Sequence, residues 1–254
     1  MNRRLALAVG IATLLISSGL IVVVGRVWAD PVDLYDGLIA FWEMDELGMQ
    51  YDAHSSSEYP TQYHLTNNNT VRSGTGKILN ACVFSAANGE YLSQFTADIP
   101  ALPHFDLGFT IAAWVWISDT MTTYDTIVRR WDVGNPEYFL YLEEHVPVIQ
   151  IQNSSDDVIT ATTGEALTTE TWHLIVTWYD DAALHIQADN SSNIGSAAVP
   201  GILKYGVDAD FRISEPGNGL DGRVDQVGMW DRPLTYAERS ALWNGGYGLP
   251  YASM

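Results

Sequence analysis

Short runs of β-branched and aromatic residues, separated by turn-rich patches, constrain this chain more than any other feature. The patches fall at residues 55–61, 67–76, 100–108, 134–136, 153–157, 190–196 and 215–219. Many short strands at this spacing predict an all-β sandwich or barrel. Residues 111–117 are apolar on both faces, which suits a central strand covered on both sides, or one lining a groove. Residues 172–178 read similarly: Trp172, Leu174, Val176 and Trp178 share one face, His173, Ile175 and Thr177 the other. Ile111, Trp114, Val115, Leu174, Val176, Val227 and Trp230 are expected to be buried in one sandwich core.

The closing segment, Asp221-Gly-Arg-Val-Asp-Gln-Val-Gly-Met-Trp-Asp-Arg-Pro-Leu-Thr-Tyr-Ala-Glu-Arg, reads as a strand running into a capped helix. Strict alternation puts Asp225, Val227 and Met229 on one face. Pro233 stops the strand because it cannot donate to a ladder. Thr235 and Glu238 form a capping box that opens a helix over residues 236–244, and Gly245-Gly246 end it. A carboxylate among apolar residues needs a partner, and a calcium ion, an arginine or solvent would each serve for Asp225.

Met1-Asn-Arg-Arg, an apolar run over residues 5–25 and Val27-Trp-Ala29 form a targeting segment. Small residues precede a cut after Ala29, as in a signal peptide, while the length of the run approaches that of a signal anchor. Residues 1–29 are therefore assigned as signal peptide or signal anchor and residues 30–254 as one domain. Arg3 and Arg4 hold the N-terminus inside, so the domain is expected outside the cell, secreted or surface-bound, with the N-terminal segment as the potential membrane anchor. The formal net charge of the 254 residues is −19; without the first 29, which carry three arginines and no acid, it is −22. Such a surface repels nucleic acid and anionic membranes and attracts divalent cations. Cys82 is the only cysteine, so no intramolecular disulfide forms.

Several segments resemble LamG-like jelly-roll domains of the concanavalin A-like lectin/glucanase superfamily. They are Asp36-Gly-Leu-Ile-Ala-Phe-Trp-Glu-Met-Asp-Glu, Gly76-Lys-Ile-Leu-Asn-Ala-Cys-Val-Phe, Asn88-Gly-Glu-Tyr-Leu-Ser, Phe109-Thr-Ile-Ala-Ala-Trp-Val-Trp-Ile, Thr171-Trp-His-Leu-Ile-Val-Thr-Trp-Tyr and the closing segment. Their order and spacing carry the resemblance, which covers most of the chain. It implies a two-sheet antiparallel jelly-roll sandwich with one short C-terminal helix. It fixes a fold better than a ligand, since one fold hosts many functions.

The superfamily includes retaining glucanases, which resemblance associates with a Glu-x-Asp-x-(x)-Glu strand. Glu43 and Asp45 match its first two positions on one strand face, but Leu47 and Gly48 stand where the second glutamate would be. Paired carboxylates aimed at one bond are the minimum for this chemistry. The sequence also lacks a Gly-x-Ser-x-Gly elbow, a phosphate-binding Gly-Lys-Ser loop and a His-Glu-x-x-His motif. A non-catalytic protein is expected.

Resemblance maps a structural calcium site onto Asp52, in the loop after the first strand, and Asp225. The family loop is glycine-rich, whereas this one runs His54-Ser-Ser-Ser-Glu-Tyr-Pro. For sugar binding, Trp116, Trp131 and Tyr138 are the candidate aromatic platforms, although aromatics at strand spacing most often belong to a core. The reading is an exported, non-catalytic recognition or adhesion module for an extracellular glycan or protein ligand, with structural calcium. A structural surface or assembly protein is the competing class, and a glycan hydrolase a third.

Overall fold

The computed structural model describes residues 16–17, 20–21, 32–46, 50–51, 63–94, 108–120, 124–132, 135–204 and 209–254. Contacts divide the chain into two units, Met1–Pro31 and Val32–Met254. In the first, β1 (Ile16–Ser17) pairs antiparallel with β2 (Leu20–Ile21). Most of residues 1–29, where a targeting segment is expected, lies outside the described residues. Among the described residues no helix is long and apolar enough to cross a membrane.

The second unit holds β3 (Leu38–Trp42), β4 (Gln50–Tyr51), β5 (Leu65–Asn68), β6 (Arg72–Thr75), β7 (Asn80–Phe84), β8 (Tyr91–Gln94), β9 (Phe109–Ile117) and β10 (Asp125–Asp132). It continues with β11 (Asn135–Glu143), β12 (Val146–Gln152), β13 (Val158–Thr162), β14 (Trp172–Tyr179), β15 (Ala183–Ala188), β16 (Ile194–Ala198), β17 (Phe211–Ile213) and β18 (Gly222–Trp230), then α1 (Tyr236–Trp243). The front sheet runs β13-β12-β11-β10-β17-β8-β5-β4 and the back sheet β16-β15-β14-β9-β18-β7-β6, all antiparallel. On one side β18 pairs with β9; on the other, β7 takes its first half and β3 its second. This is the expected two-sheet antiparallel jelly-roll. Strands enter three expected turn patches: β6 lies within residues 67–76, β11 begins within 134–136 and β16 within 190–196.

The seven expected core residues are all buried, but in two layers rather than one. Ile111, Val115 and Val227 lie between the sheets with Trp42, Leu140, Ile149 and Phe211. Trp114, Leu174, Val176 and Trp230 lie on the opposite face of the back sheet, with Leu34, Phe41, Leu234 and Leu242. The alternation of β9 and β14 makes this unavoidable, because both faces are apolar and both must be covered.

The roof of the second layer is α1. Its capping box forms as expected: the Glu238 amide donates to the Thr235 hydroxyl and the Glu238 carboxylate accepts the Thr235 amide at 2.8 Å. Glu238 is also paired with Arg232 at 2.7 Å. On the same helix, Arg239 lays its guanidinium 3.9 Å over Trp178 and donates to Gln187 at 3.1 Å. Trp243 stacks on Trp114 at 5.3 Å.

Alternation fails in the closing strand. Asp225 opposes Trp114 on β9 but Gly228 opposes Ala112, so a bulge intervenes, with Gln226 at φ 49°. Val224, Val227 and Met229 face the inter-sheet core, and Asp225 shares the face of Trp114 instead. The expectation that Asp225, Val227 and Met229 share a face is corrected by that extra residue. Likewise β3 ends at Trp42 and Met44 has φ 61°, so Glu43 and Asp45 are not a pair on one strand face.

Candidate ligand-binding face

Alternation on β11 turns Tyr138, Leu140 and Leu142 inward and Phe139 and Tyr141 outward. Phe139 lies in a register row that crosses seven strands: Thr160, Gln150, Phe139, Arg129, Arg212, Ser93 and Thr66. Among the described residues no helix or further sheet layers over this outer face of the front sheet.

Aromatic rings form its centre. Phe139 and Tyr141 have ring centroids 4.5 Å apart, Trp131 and Phe139 6.3 Å, and Tyr124 meets Tyr141 edge-on at 5.3 Å. Two guanidiniums lie side by side next to them, Arg129 at 5.9 Å from the Phe139 ring and Arg212 at 5.3 Å from Tyr91. Arg129 donates to the Glu215 carboxylate and the Trp131 carbonyl, and Arg212 is 3.7 Å from Asp210. Burial and the neighbouring Arg212 push the Arg129 pKa down. Tyr141 is only 5% exposed, so Phe139, Trp131 and Tyr124 supply the open ring surface and Tyr141 backs it. Burial, with Glu143 and Tyr124 close by, pushes the Tyr141 phenol up to about 12, so it is neutral at physiological pH. Gln150 donates to Thr160 at 3.2 Å, adding an amide beside the rings. Flat rings bordered by guanidinium, amide and hydroxyl groups can stack against an apolar ring face and hydrogen-bond its polar rim.

The three expected platforms separate. Trp131 is half-buried on this face. Trp116 is half-buried on the outer side of the back sheet, with the Arg223 guanidinium 4.7 Å from its ring. Tyr138 is corrected: it is 1% exposed in the inter-sheet core, 6.4 Å from Phe109, and presents no surface to a ligand. Tyr124, Phe139, Tyr141, Arg129 and Arg212 were not expected. The signal for Phe139 and Tyr141 was the same alternation, once Tyr138 is placed inside.

Asp52 lies outside the described residues. Asp225 is fully buried, and its Oδ2 accepts the backbone N–H groups of Lys77 at 2.7 Å and Ile78 at 2.9 Å. Asp45 accepts the Asn80 amide at 2.8 Å, so two carboxylates grip one turn. The turn needs Gly76, where a Cβ would stand 2.2 Å from the Asn80 carbonyl oxygen. Burial, with a smaller push from the Asp45 charge, raises the Asp225 pKa to about 7 against the pull of the two N–H groups. Among the described residues no group of three or more His, Cys, Asp or Glu side chains could hold a metal. The fully buried Asp225 and the half-buried Asp45 meet at one turn, and carboxylate oxygens are the donors a hard cation takes.

One constellation has the look of catalytic machinery. His173 Nδ1 is 2.5 Å from Asp189 and Nε2 is 3.2 Å from the Thr168 hydroxyl. Nε2 is also 2.8 Å from the Thr168 carbonyl oxygen, which only accepts, so Nε2 carries the hydrogen and cannot deprotonate the hydroxyl. Burial works against the charged imidazole, but Asp189 and the Thr168 carbonyl outweigh it and raise the pKa. This is an anchor for the 167–173 loop.

No curated protein sequence matches the chain. Among solved structures, it is similar to the binding domain of Paraclostridial Mosquitocidal Protein 1, with a TM-score of 0.67 and 15% identity over 84% of this chain and 53% of that one. The binding domain of Botulinum Neurotoxin DC in complex with SialylT gives 0.65 and 11%, over 84% and 52%. The chain thus spans about half the length of these toxin domains. Domain 4 of AbnA, a GH43 extracellular arabinanase from Geobacillus stearothermophilus, in complex with arabinotriose, gives 0.58 and 16%, over 79% of this chain and 95% of that one. At such identities the likeness is one of fold. A family model described as the concanavalin A-like lectin/glucanases superfamily matches residues 90–238, more than half the chain and most strands of both sheets. On that match, the chain belongs to the concanavalin A-like lectin/glucanases superfamily.

Proposed function

We propose that this protein is an exported, non-catalytic recognition module that binds an extracellular glycan on the outer face of its front sheet. The observation that carries the reading is the set of half-buried Trp131, Phe139 and Tyr124 rings, joined through the buried Tyr141, beside Arg129 and Arg212. Stacking on such a surface costs little entropy, because packing already holds the rings. The similar structures in complex with saccharides, the Botulinum Neurotoxin DC binding domain with SialylT and Domain 4 of AbnA with arabinotriose, support glycan as the ligand class. The targeting segment over residues 1–29 supports export.

Calcium belongs to this reading as a stiffening ion held by Asp225 with Asp45 and Asp52. When bound, it would neutralise the carboxylates and lock the turn that Asp225 already ties to β18. The chain's own part is to orient that turn through the Lys77 and Ile78 amides.

A glycan array probed with and without chelator tests the reading. Binding should be saturable and should fall by about tenfold or more in Trp131→Ala, since one stacking aromatic is worth about 1–3 kcal/mol. Failure to bind any glycan, with concentration-dependent self-association through the same face, would favour a structural assembly unit.

A further inference from the structure

We propose that the outer side of the back sheet carries a second ligand site, independent of the aromatic face, for a saccharide unit bearing one carboxylate. Helix α1 roofs one end of that side. At the other end lies a cavity of about 240 Å³, lined by Trp116, Arg223, Asp221, Ser118, Thr120 and Val83. It is formed where β7, β18 and β9 lie in register, with Arg223 opposite Val83 on one side and Trp116 on the other.

Arg223 is the group presented. Its guanidinium sits 4.7 Å from the Trp116 ring and Nη1 donates to the Thr75 carbonyl at 3.0 Å. Indole and carbonyl together fix the plane of the fork, so little side-chain freedom is left to lose on binding. Arg129, Arg130, Arg212 and Arg232 each pair with an acid. Among the described residues no carboxylate forms an ion pair with Arg223, although acids outnumber bases 31 to 12 in the chain. A planar fork held in place and short of a counter-charge is matched by a carboxylate.

The remaining groups describe the rest of the ligand. The hydroxyls of Ser118 and Thr120 lie 3.0 Å apart, and Asp221 uses Oδ1 to accept the Ala86 amide at 2.9 Å. The hydroxyls and the second Asp221 oxygen offer donors and acceptors for ring hydroxyls, and Val83 adds an apolar wall. Asp221 lines the same cavity without pairing with Arg223, so the site suits one added negative charge rather than a polyanion. The cavity lies below the size of drug-sized pockets, which fits one sugar ring.

The test titrates the full-length protein with sodium glucuronate, its neutral methyl ester and sodium acetate, following the Trp116 indole N–H by NMR. Glucuronate should shift that signal. The ester should bind about tenfold or more weakly, the value of a charge-assisted fork. Acetate, lacking ring hydroxyls, should also bind more weakly. Arg223→Gln should abolish the acid–ester difference, while Trp131→Ala leaves it intact. Equal affinity for acid and ester in the unmodified protein, no movement of the Trp116 signal, or acetate binding as tightly as glucuronate would overturn the proposal. Loss of these titrations in Trp131→Ala would overturn its independence from the front face.

Discussion

Tyr138 and Phe139 are neighbours in sequence yet occupy opposite sides of the front sheet. Tyr138 is sealed beside Phe109 between the sheets, while Phe139 packs on Tyr141 in the outer face. Tyr138→Ala should therefore destabilise the fold by about 3–5 kcal/mol through cavity formation. Phe139→Ala should cost much less stability and weaken glycan binding by about tenfold. Denaturant midpoints and binding titrations on the two variants check the contrast.

Asp225 sets a pH dependence whose sign follows from its raised pKa. From about pH 4 to 7 the folded protein holds a proton that the unfolded chain has released. In chelator, stability from this group should be fully present below about pH 4 and fall as pH rises through 7, by on the order of a few kcal/mol. Asp225→Asn should flatten that fall while keeping an acceptor for Lys77 and Ile78. Calcium should raise the melting temperature of the unmodified protein at pH 8 and do little for the variant. Thermal melts across pH, with and without calcium, measure both effects.

His173 contributes with the same sign from a different range. Its pKa is raised above 6.5 by Asp189 and the Thr168 carbonyl against burial, so its stabilisation is complete below pH 6.5 and is lost as pH rises through the folded value. Asp189→Asn should remove this dependence and cost about 1–3 kcal/mol at pH 6. Glycan binding at the front face should not change. Urea titrations at pH 6 and 9 make the comparison.

Arg239 links helix α1 to the back sheet through Trp178 and Gln187, and to the segment before the helix through the Leu234 carbonyl. Arg239→Ala removes a cation–π contact and buried hydrogen bonds together, so a loss of about 2–3 kcal/mol is expected. Arg239→Lys should recover only part, because Lys cannot stack as a plane while donating sideways. Chemical denaturation of both variants reads the difference.

Sequence alone determined the architecture. Period-two runs between turn patches require strands, and doubly apolar runs such as residues 111–117 require cover on both faces, wherever it comes from. The Thr235 and Glu238 box lies within one helical turn, so it was legible before any tertiary contact was known. The site was less legible. Alternation says which residues share a face only while register is unbroken, and one extra residue at Gln226 sent Asp225 away from Val227. Nor does alternation say which face is the core. That choice buried Tyr138, opened Phe139 and set Trp131 and Trp116 on different sheets. The pairing of Arg223 with Trp116, more than a hundred residues apart, was decided by strand order in the folded sheet, because only neighbouring strands bring distant side chains within contact.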